Sequence, residues 1–406
     1  MSLGADRSYK MKLRDVENAF KYRRIPYPKR SVELIALLAI SCTFFLFMHT
    51  NKLNSRLKEM EVKLQPSEFS ALGLTGNHVS GHDAGKHDDI NTLHGTYQYL
   101  KSTGQLDGLT PRRLNNTAKA EMDRLFFPRC AKVGSEALME FMEHLRDINN
   151  FKISVNGVDR RTMRTLNASG QEEMAAYIYN MDEGSAYIEH TNWIDFNEYN
   201  LPKPIFINMV RDPVERMISW YYYIRNSYRH AIFYRKNPLA PIKPTAWFKK
   251  SFNECVRSGD KECQYIPLTV TDVVPNFKRQ SIFFCGNDQD CLPFNSPLAV
   301  QMAKRRVETE FAVVGTWEET NITLTVLEHY IPRYFARATT IYTIYQQSLM
   351  NRNRNNRKPH VDADVRAMVR RNFTHEYDFY YFCKQRLYTQ YIALKRTELE
   401  PLNFHP

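Results

Sequence analysis

Residues Phe126–Leu145 read Phe-Phe-Pro-Arg-Cys-Ala-Lys-Val-Gly-Ser-Glu-Ala-Leu-Met-Glu-Phe-Met-Glu-His-Leu. A short apolar strand opens the stretch, and a loop through Arg129, Lys132, Gly134 and Ser135 follows it. Leu138, Phe141, Met142 and Leu145 then recur at helical spacing, which predicts a helix with one buried face. Strand, short loop and helix is a geometry that holds phosphate. The free N–H groups and positive end of the helix face the anion, Gly134 permits close backbone approach, and Lys132 adds a point charge. The Walker pattern G-x-x-x-x-G-K-S/T is absent, because here the lysine precedes the glycine.

Working outward, a second joint of the same kind lies downstream. Pro204–Val210 is an apolar run suited to the middle of a parallel sheet, and it ends at Arg211-Asp212-Pro213. Asp212 suits an N-cap and Pro213 a first helical position, so a helix carrying Ser219 starts there. Tyr187–His190 closes another strand. Phe311–Gly315 forms one more, followed from about Glu318 by a helix with Leu324, Leu327 and Ile331 on one face, stopping at Pro332. Strands alternating with helices predict an α/β domain, with a central, mainly parallel sheet flanked by helices.

The chain has 406 residues and a net charge of +12, which calls for an anionic partner: nucleic acid, an acidic membrane, a nucleotide or an acidic glycan. Residues 1–30 are polar and basic, and 31–50 are almost wholly apolar. The basic flank predicts a cytoplasmic tail followed by a type II signal anchor, with everything beyond it lumenal. The sequons at Asn115, Asn167, Asn321 and Asn372 all fall on that lumenal side. Because a lumen is oxidising, Cys255 with Cys263 and Cys285 with Cys291 are expected to form disulfides. No Cys-x-x-Cys or His-x-x-x-His spacing accompanies them, so no metal is expected. Residues 51–118 read as a stem, including a solvated tract with His78, His82, His87 and His94, and 119–406 as the globular domain.

The two anion-binding joints resemble the signatures of Golgi sulfotransferases that use 3′-phosphoadenosine 5′-phosphosulfate (PAPS), and among these the uronyl and heparan sulfate 2-O-sulfotransferases. The residues that carry the resemblance are Arg129-Cys-Ala-Lys132-Val-Gly-Ser135, His190 ahead of Trp193-Ile-Asp-Phe196, and Arg211-Asp-Pro-Val-Glu-Arg216. Phe252-Asn-Glu-Cys255, Phe284-Cys285-Gly286 and Val314-Gly-Thr-Trp-Glu-Glu319 add to it, and the cysteine spacings agree with the family's two disulfides. The resemblance implies a P-loop-like sulfotransferase fold in which Lys132, Val133, Gly134, Ser135, Glu136 and Ala137 wrap the 5′-phosphosulfate. Arg211 and Ser219 would hold the 3′-phosphate, with Arg352 and Arg357 in a basic loop over the nucleotide. His190 would act as general base, Lys132 would stabilise the leaving nucleotide, and Arg129 and Lys243 would face the acceptor. A glycan acceptor, Golgi location and a trimer are implied with it, without metal or nucleic acid.

Departures from the pattern also matter. Val133, Glu136 and Ala137 stand where relatives carry hydroxyl or other polar residues, and a carboxylate beside a phosphosulfate is unfavourable unless it points away or pairs with a base. That leaves open a catalytically silent relative that binds acidic glycans. A kinase-like reading is disfavoured by the lack of an acidic pair for magnesium, and nucleic-acid binding by the lumenal topology.

Overall fold

The computed structural model describes residues 90–155, 165–270, 278–353 and 358–399, together with Met48. The expected tail, the anchor apart from Met48, most of the stem and Arg357 lie outside the described residues, and so does the side chain of Arg352. Among the described residues, no helix is long and apolar enough to cross a membrane.

The main elements in chain order begin with α1 (Leu93–Ser102), β1 (Arg124–Pro128), α2 (Ser135–Asn149), β2 (Lys152–Val155), α3 (Ala168–Tyr179) and β3 (Ser185–Glu189). Next come β4 (Ile205–Val210), α4 (Pro213–Ile224), α5 (Ser227–Lys236), α6 (Pro297–Thr309), β5 (Phe311–Thr316) and α7 (Thr320–Tyr330). The chain finishes with α8 (Ala338–Asn353), α9 (Ala363–Arg370) and α10 (Thr374–Leu399).

The strands form one five-stranded sheet in the order β2-β3-β1-β4-β5. All of its pairings are parallel, as the unbroken apolar runs require. Every residue of β3, β4 and β5 is buried. Phe126 of β1 packs its ring against Tyr187, Phe196 and Phe206, and each such buried ring is worth roughly 1.5–3 kcal/mol. Leu138, Phe141, Met142 and Leu145 of α2 are all buried, so the helical spacing read from the sequence is the buried face.

Strand order decides where a ligand goes. From β1 the chain leads to β2 and β3 on one side of the sheet, then to β4 and β5 on the other. Beyond the carboxyl ends of β1 and β4 lies the crevice where open parallel sheets bind ligands. Pro128 pairs with Glu189, and Val210 pairs with Thr316. The register therefore delivers Arg129, His190, Arg211 and Trp317 to one edge.

The segment read as the end of the stem is folded. Thr92 caps α1 through Gly95 N, Leu100 is buried, and Gln385 on α10 reaches Asn91 at 2.8 Å. Asn116 donates to Glu308 O at 2.7 Å and Phe311 O at 2.9 Å. The partners of this segment lie far along the chain, so its own composition gives no sign of the docking. The expected disulfides are present, Cys255–Cys263 and Cys285–Cys291, while Cys130 and Cys383 are free and buried.

Candidate active site

The loop after β1 has its carbonyls held by side chains. Pro128 O accepts from Asn208 Nδ2 at 2.6 Å, and Cys130 O from Ser135 Oγ at 2.6 Å. Ala131 O accepts from the buried Arg216 at 3.0 Å, and Lys132 O from Arg211 at 3.3 Å. With its carbonyls drawn away, the loop and the first turn of α2 offer N–H groups, the donors a helix N-terminus leaves unsatisfied. The hydroxyl proton of Ser135 is already used, which leaves its backbone N–H as the donor it can offer. Val133 and Ala137 are buried and serve as packing.

Two residues of this loop have left-handed backbones, Lys132 at φ 66 and Gly134 at φ 92. A lysine there stores roughly 1 kcal/mol or more of strain, a cost usually met at functional sites. At Gly134 a Cβ would come within 3.0 Å of Trp317 Cβ, so glycine is required by space as well as by φ.

Around Lys132 the cations gather. Its Nζ lies 4.1 Å from the centroid of the Tyr223 ring, and the Arg229 guanidinium lies 4.2 Å from the same ring. Arg229 also donates to the Tyr223 hydroxyl at 2.6 Å. Burial, followed by the charges of Arg211, Arg229 and Lys358, pushes the Lys132 ammonium down to about 8, with Glu136 opposing. Such mutual repulsion is relieved by an anion in their midst, which is the physical signature of an anion site.

Arg211 is fixed through its backbone. Its N–H donates to Gln280 Oε1 at 3.1 Å, and its carbonyl accepts from Gln280 Nε2 at 2.9 Å. Asp212 caps α4 through Glu215 N at 2.9 Å and accepts from the Tyr377 hydroxyl. Ser219 is buried on the same helix. The two joints are thus one site, with Arg211 touching the backbone of Lys132.

His190 stands at the lip of β3. Its Nδ1 is 2.9 Å from Arg129 O, and since a carbonyl only accepts, Nδ1 carries the proton and Nε2 keeps its lone pair. Burial and the neighbouring Arg129 charge push the imidazole down to about 4, so it is neutral at physiological pH. A neutral ring with Nε2 unprotonated can receive a proton.

The remaining expectations divide. Glu136 does not confront the anion site bare, because its carboxylate pairs with Arg129. Lys243 is exposed and overlies the Trp247 ring at 5.6 Å, and among the described residues no hydrogen bond or ion pair joins it to the loop. Asn167 caps α3 and is exposed, Asn321 is exposed on α7, Asn372 is half-buried, and Asn115 donates its amide to Tyr330 O. Sequence reasoning missed Tyr223, Arg229 and Gln280. The aromatic run Trp220–Tyr223 was the only local signal for any of them.

A parallel sheet with two strand–helix joints pooling cations at one helix N-terminus, and a neutral histidine beside them, defines an enzyme that transfers an anionic group. The profile of the Sulfotransferase family matches residues 116–382. The chain is 47% identical to the Drosophila melanogaster uronyl 2-sulfotransferase homolog pip, over 97% of this chain and 95% of that protein. It is 25% identical to the Xenopus laevis heparan sulfate 2-O-sulfotransferase 1, over 89% and 90% of the two chains. To the Gallus gallus protein of that name it is 27% identical, over 68% of each. The chain belongs to the Sulfotransferase family and is a sulfotransferase.

Proposed function

We propose that this enzyme transfers a sulfuryl group from PAPS to the 2-hydroxyl of uronic acid residues in glycosaminoglycans or related glycoprotein glycans. The observation that carries the proposal is the meeting of Nε2 of His190 and the Lys132 cation cluster at one sheet edge. The uronyl and heparan sulfate specificities of the relatives support the acceptor class. The cluster of Lys132, Arg211, Arg229 and Lys358 suits a donor with phosphates at two positions. PAPS, when bound, supplies the sulfuryl group and the phosphate that departs from it.

The chain's own part is positional and electrostatic. Lys132 and the N–H groups opening α2 hold the phosphosulfate end, and Lys132 offsets the charge that grows on the leaving oxygen. Arg211, with Ser219 on the helix that follows it, holds the far phosphate. His190 Nε2 takes the proton of the acceptor hydroxyl, while Nδ1–H stays on Arg129 O and fixes the ring. The charge of Glu136 is compensated by Arg129, which removes the feature that motivated a silent glycan-binding relative.

The setting belongs to the same proposal: a type II Golgi membrane protein with residues 1–30 cytoplasmic, 31–50 spanning the bilayer and the catalytic domain lumenal, glycosylated on its exposed sequons and self-associating as a trimer. Calorimetric titration of the full-length protein with 3′-phosphoadenosine 5′-phosphate tests the donor assignment. Binding that Arg211→Ala weakens is expected, and no binding by the wild type would refute it.

A further inference from the structure

Arg129, one of the two residues expected to face the acceptor, already has a carboxylate partner. Its Nη1 is paired with Glu136 seven residues along, on the first turn of α2. The Arg129 side chain is 8% exposed and that of Glu136 is 54% exposed, so the carboxylate is the half of the pair that fronts solvent. Arg129 Nε is buried without a hydrogen-bond partner among the described residues, and Arg129 O carries the His190 ring. The pair is therefore attached directly to the base, and an external carboxylate would meet a guanidinium whose charge Glu136 already balances.

We propose, resting on the sulfotransfer reading above, that Glu136 is a specificity-determining residue. By neutralising Arg129 from within the chain, it makes the acceptor subsite beside His190 accept a sugar without requiring a carboxylate on it. The substrate class widens accordingly from uronic acids to neutral hexose units of the same glycan backbone. Charge complementarity selects partners mainly by penalising the wrong charge, and here the selecting cation is cancelled before any acceptor arrives. Glu136 acts on selection through Arg129 and is not itself a catalytic residue.

The experiment compares full-length wild type with Glu136→Gln, which keeps the size and removes the charge, each loaded with 3′-phosphoadenosine 5′-phosphate. Two probes are titrated by calorimetry: an unsulfated glucuronate–N-acetylglucosamine oligosaccharide and its carboxyl-reduced counterpart. The wild type is expected to bind the two within about threefold of each other, and the variant to prefer the carboxylated chain by about tenfold or more, the scale of one charge-assisted pair. Equal selectivity in the two proteins, whether both discriminate or neither does, overturns the proposal. A loss of nucleotide affinity confined to the variant would also overturn it, placing Glu136 in the donor site instead. If the nucleotide binds neither protein, the sulfotransfer reading falls and the inference with it.

Discussion

The loop at 129–135 and the excursion at 227–249 border one site and are built in opposite ways. From Pro128 to Lys132, consecutive carbonyls are held by Asn208, His190, Ser135, Arg216 and Arg211, most of them buried, and glycine is enforced at 134. In the excursion neither α5 nor the short helix Thr245–Lys249 has a buried residue, and Leu239 is 99% exposed. It is secured at its base, where the Arg225 guanidinium lies 3.5 Å from the Tyr221 ring and 4.3 Å from the Trp247 ring, with Glu262 as its ion-pair partner. The difference teaches that the strand–helix joint is rigidly scaffolded, whereas the surface beside it is loosely packed and still contributes Arg229 to the cation cluster. An invariant donor needs one geometry.

The comparison breaks most sharply at Lys132. Lys132→Ala is expected to lower the transfer rate by about 10²–10³-fold, the usual cost of removing a group that stabilises charge in the transition state. Rates within a fewfold of wild type would place the charge elsewhere in the cluster. Gln280→Ala tests whether the rigidity comes from buried hydrogen bonds. It leaves the Arg211 N–H and carbonyl without partners and should cost roughly 1–3 kcal/mol of stability in chemical denaturation, while weakening nucleotide binding. An unchanged midpoint would mean that Arg211 is held by its side chain alone.

A pH experiment sharpens the same side. Lys132 sits at about 8 in the free protein, and a bound phosphate pulls it back toward the ordinary lysine range. Above pH 8 the free protein has lost a proton that the complex retains, so nucleotide binding takes up protons and weakens as pH rises, at most about tenfold per unit. Calorimetry at pH 8.5 in buffers of different ionisation heat reads this directly, and zero proton uptake would contradict it. The smallest effect belongs to the excursion. Leu239→Asp should change stability by no more than about 0.5 kcal/mol, as expected of an exposed position, and leave donor binding intact. A large loss of stability would show that the excursion is part of the scaffold after all.

The same contrast governs what could be read from the chain. The loop after β1 and the Arg211 joint announce themselves through local signals: an apolar strand, a capping Asp212, Pro213, and a helix whose buried face repeats at 3–4 residues. His190 came from its place after a strand together with the family resemblance. Gln280 could not be found this way, since it meets Arg211 from 69 residues away. Arg229 meets Lys132 across the Tyr223 ring, a contact that no local pattern announces. The docking of α1 was hidden because α10 buries Tyr377, Phe379, Tyr380, Phe382, Gln385 and Tyr388 around several sides, with no single apolar stripe to reveal it.

The most direct test of the account is sulfate transfer from radiolabelled PAPS to unsulfated heparan, dermatan and chondroitin chains, run with full-length wild type and His190→Ala and followed by disaccharide analysis. Label on the uronate 2-hydroxyl, reduced by about 10²–10⁴-fold in the variant while its nucleotide affinity is unchanged, is the predicted result for loss of a general base. A variant that transfers sulfate at the wild-type rate would contradict the assignment of His190, and with it the central claim that Nε2 beside the cation cluster performs the chemistry.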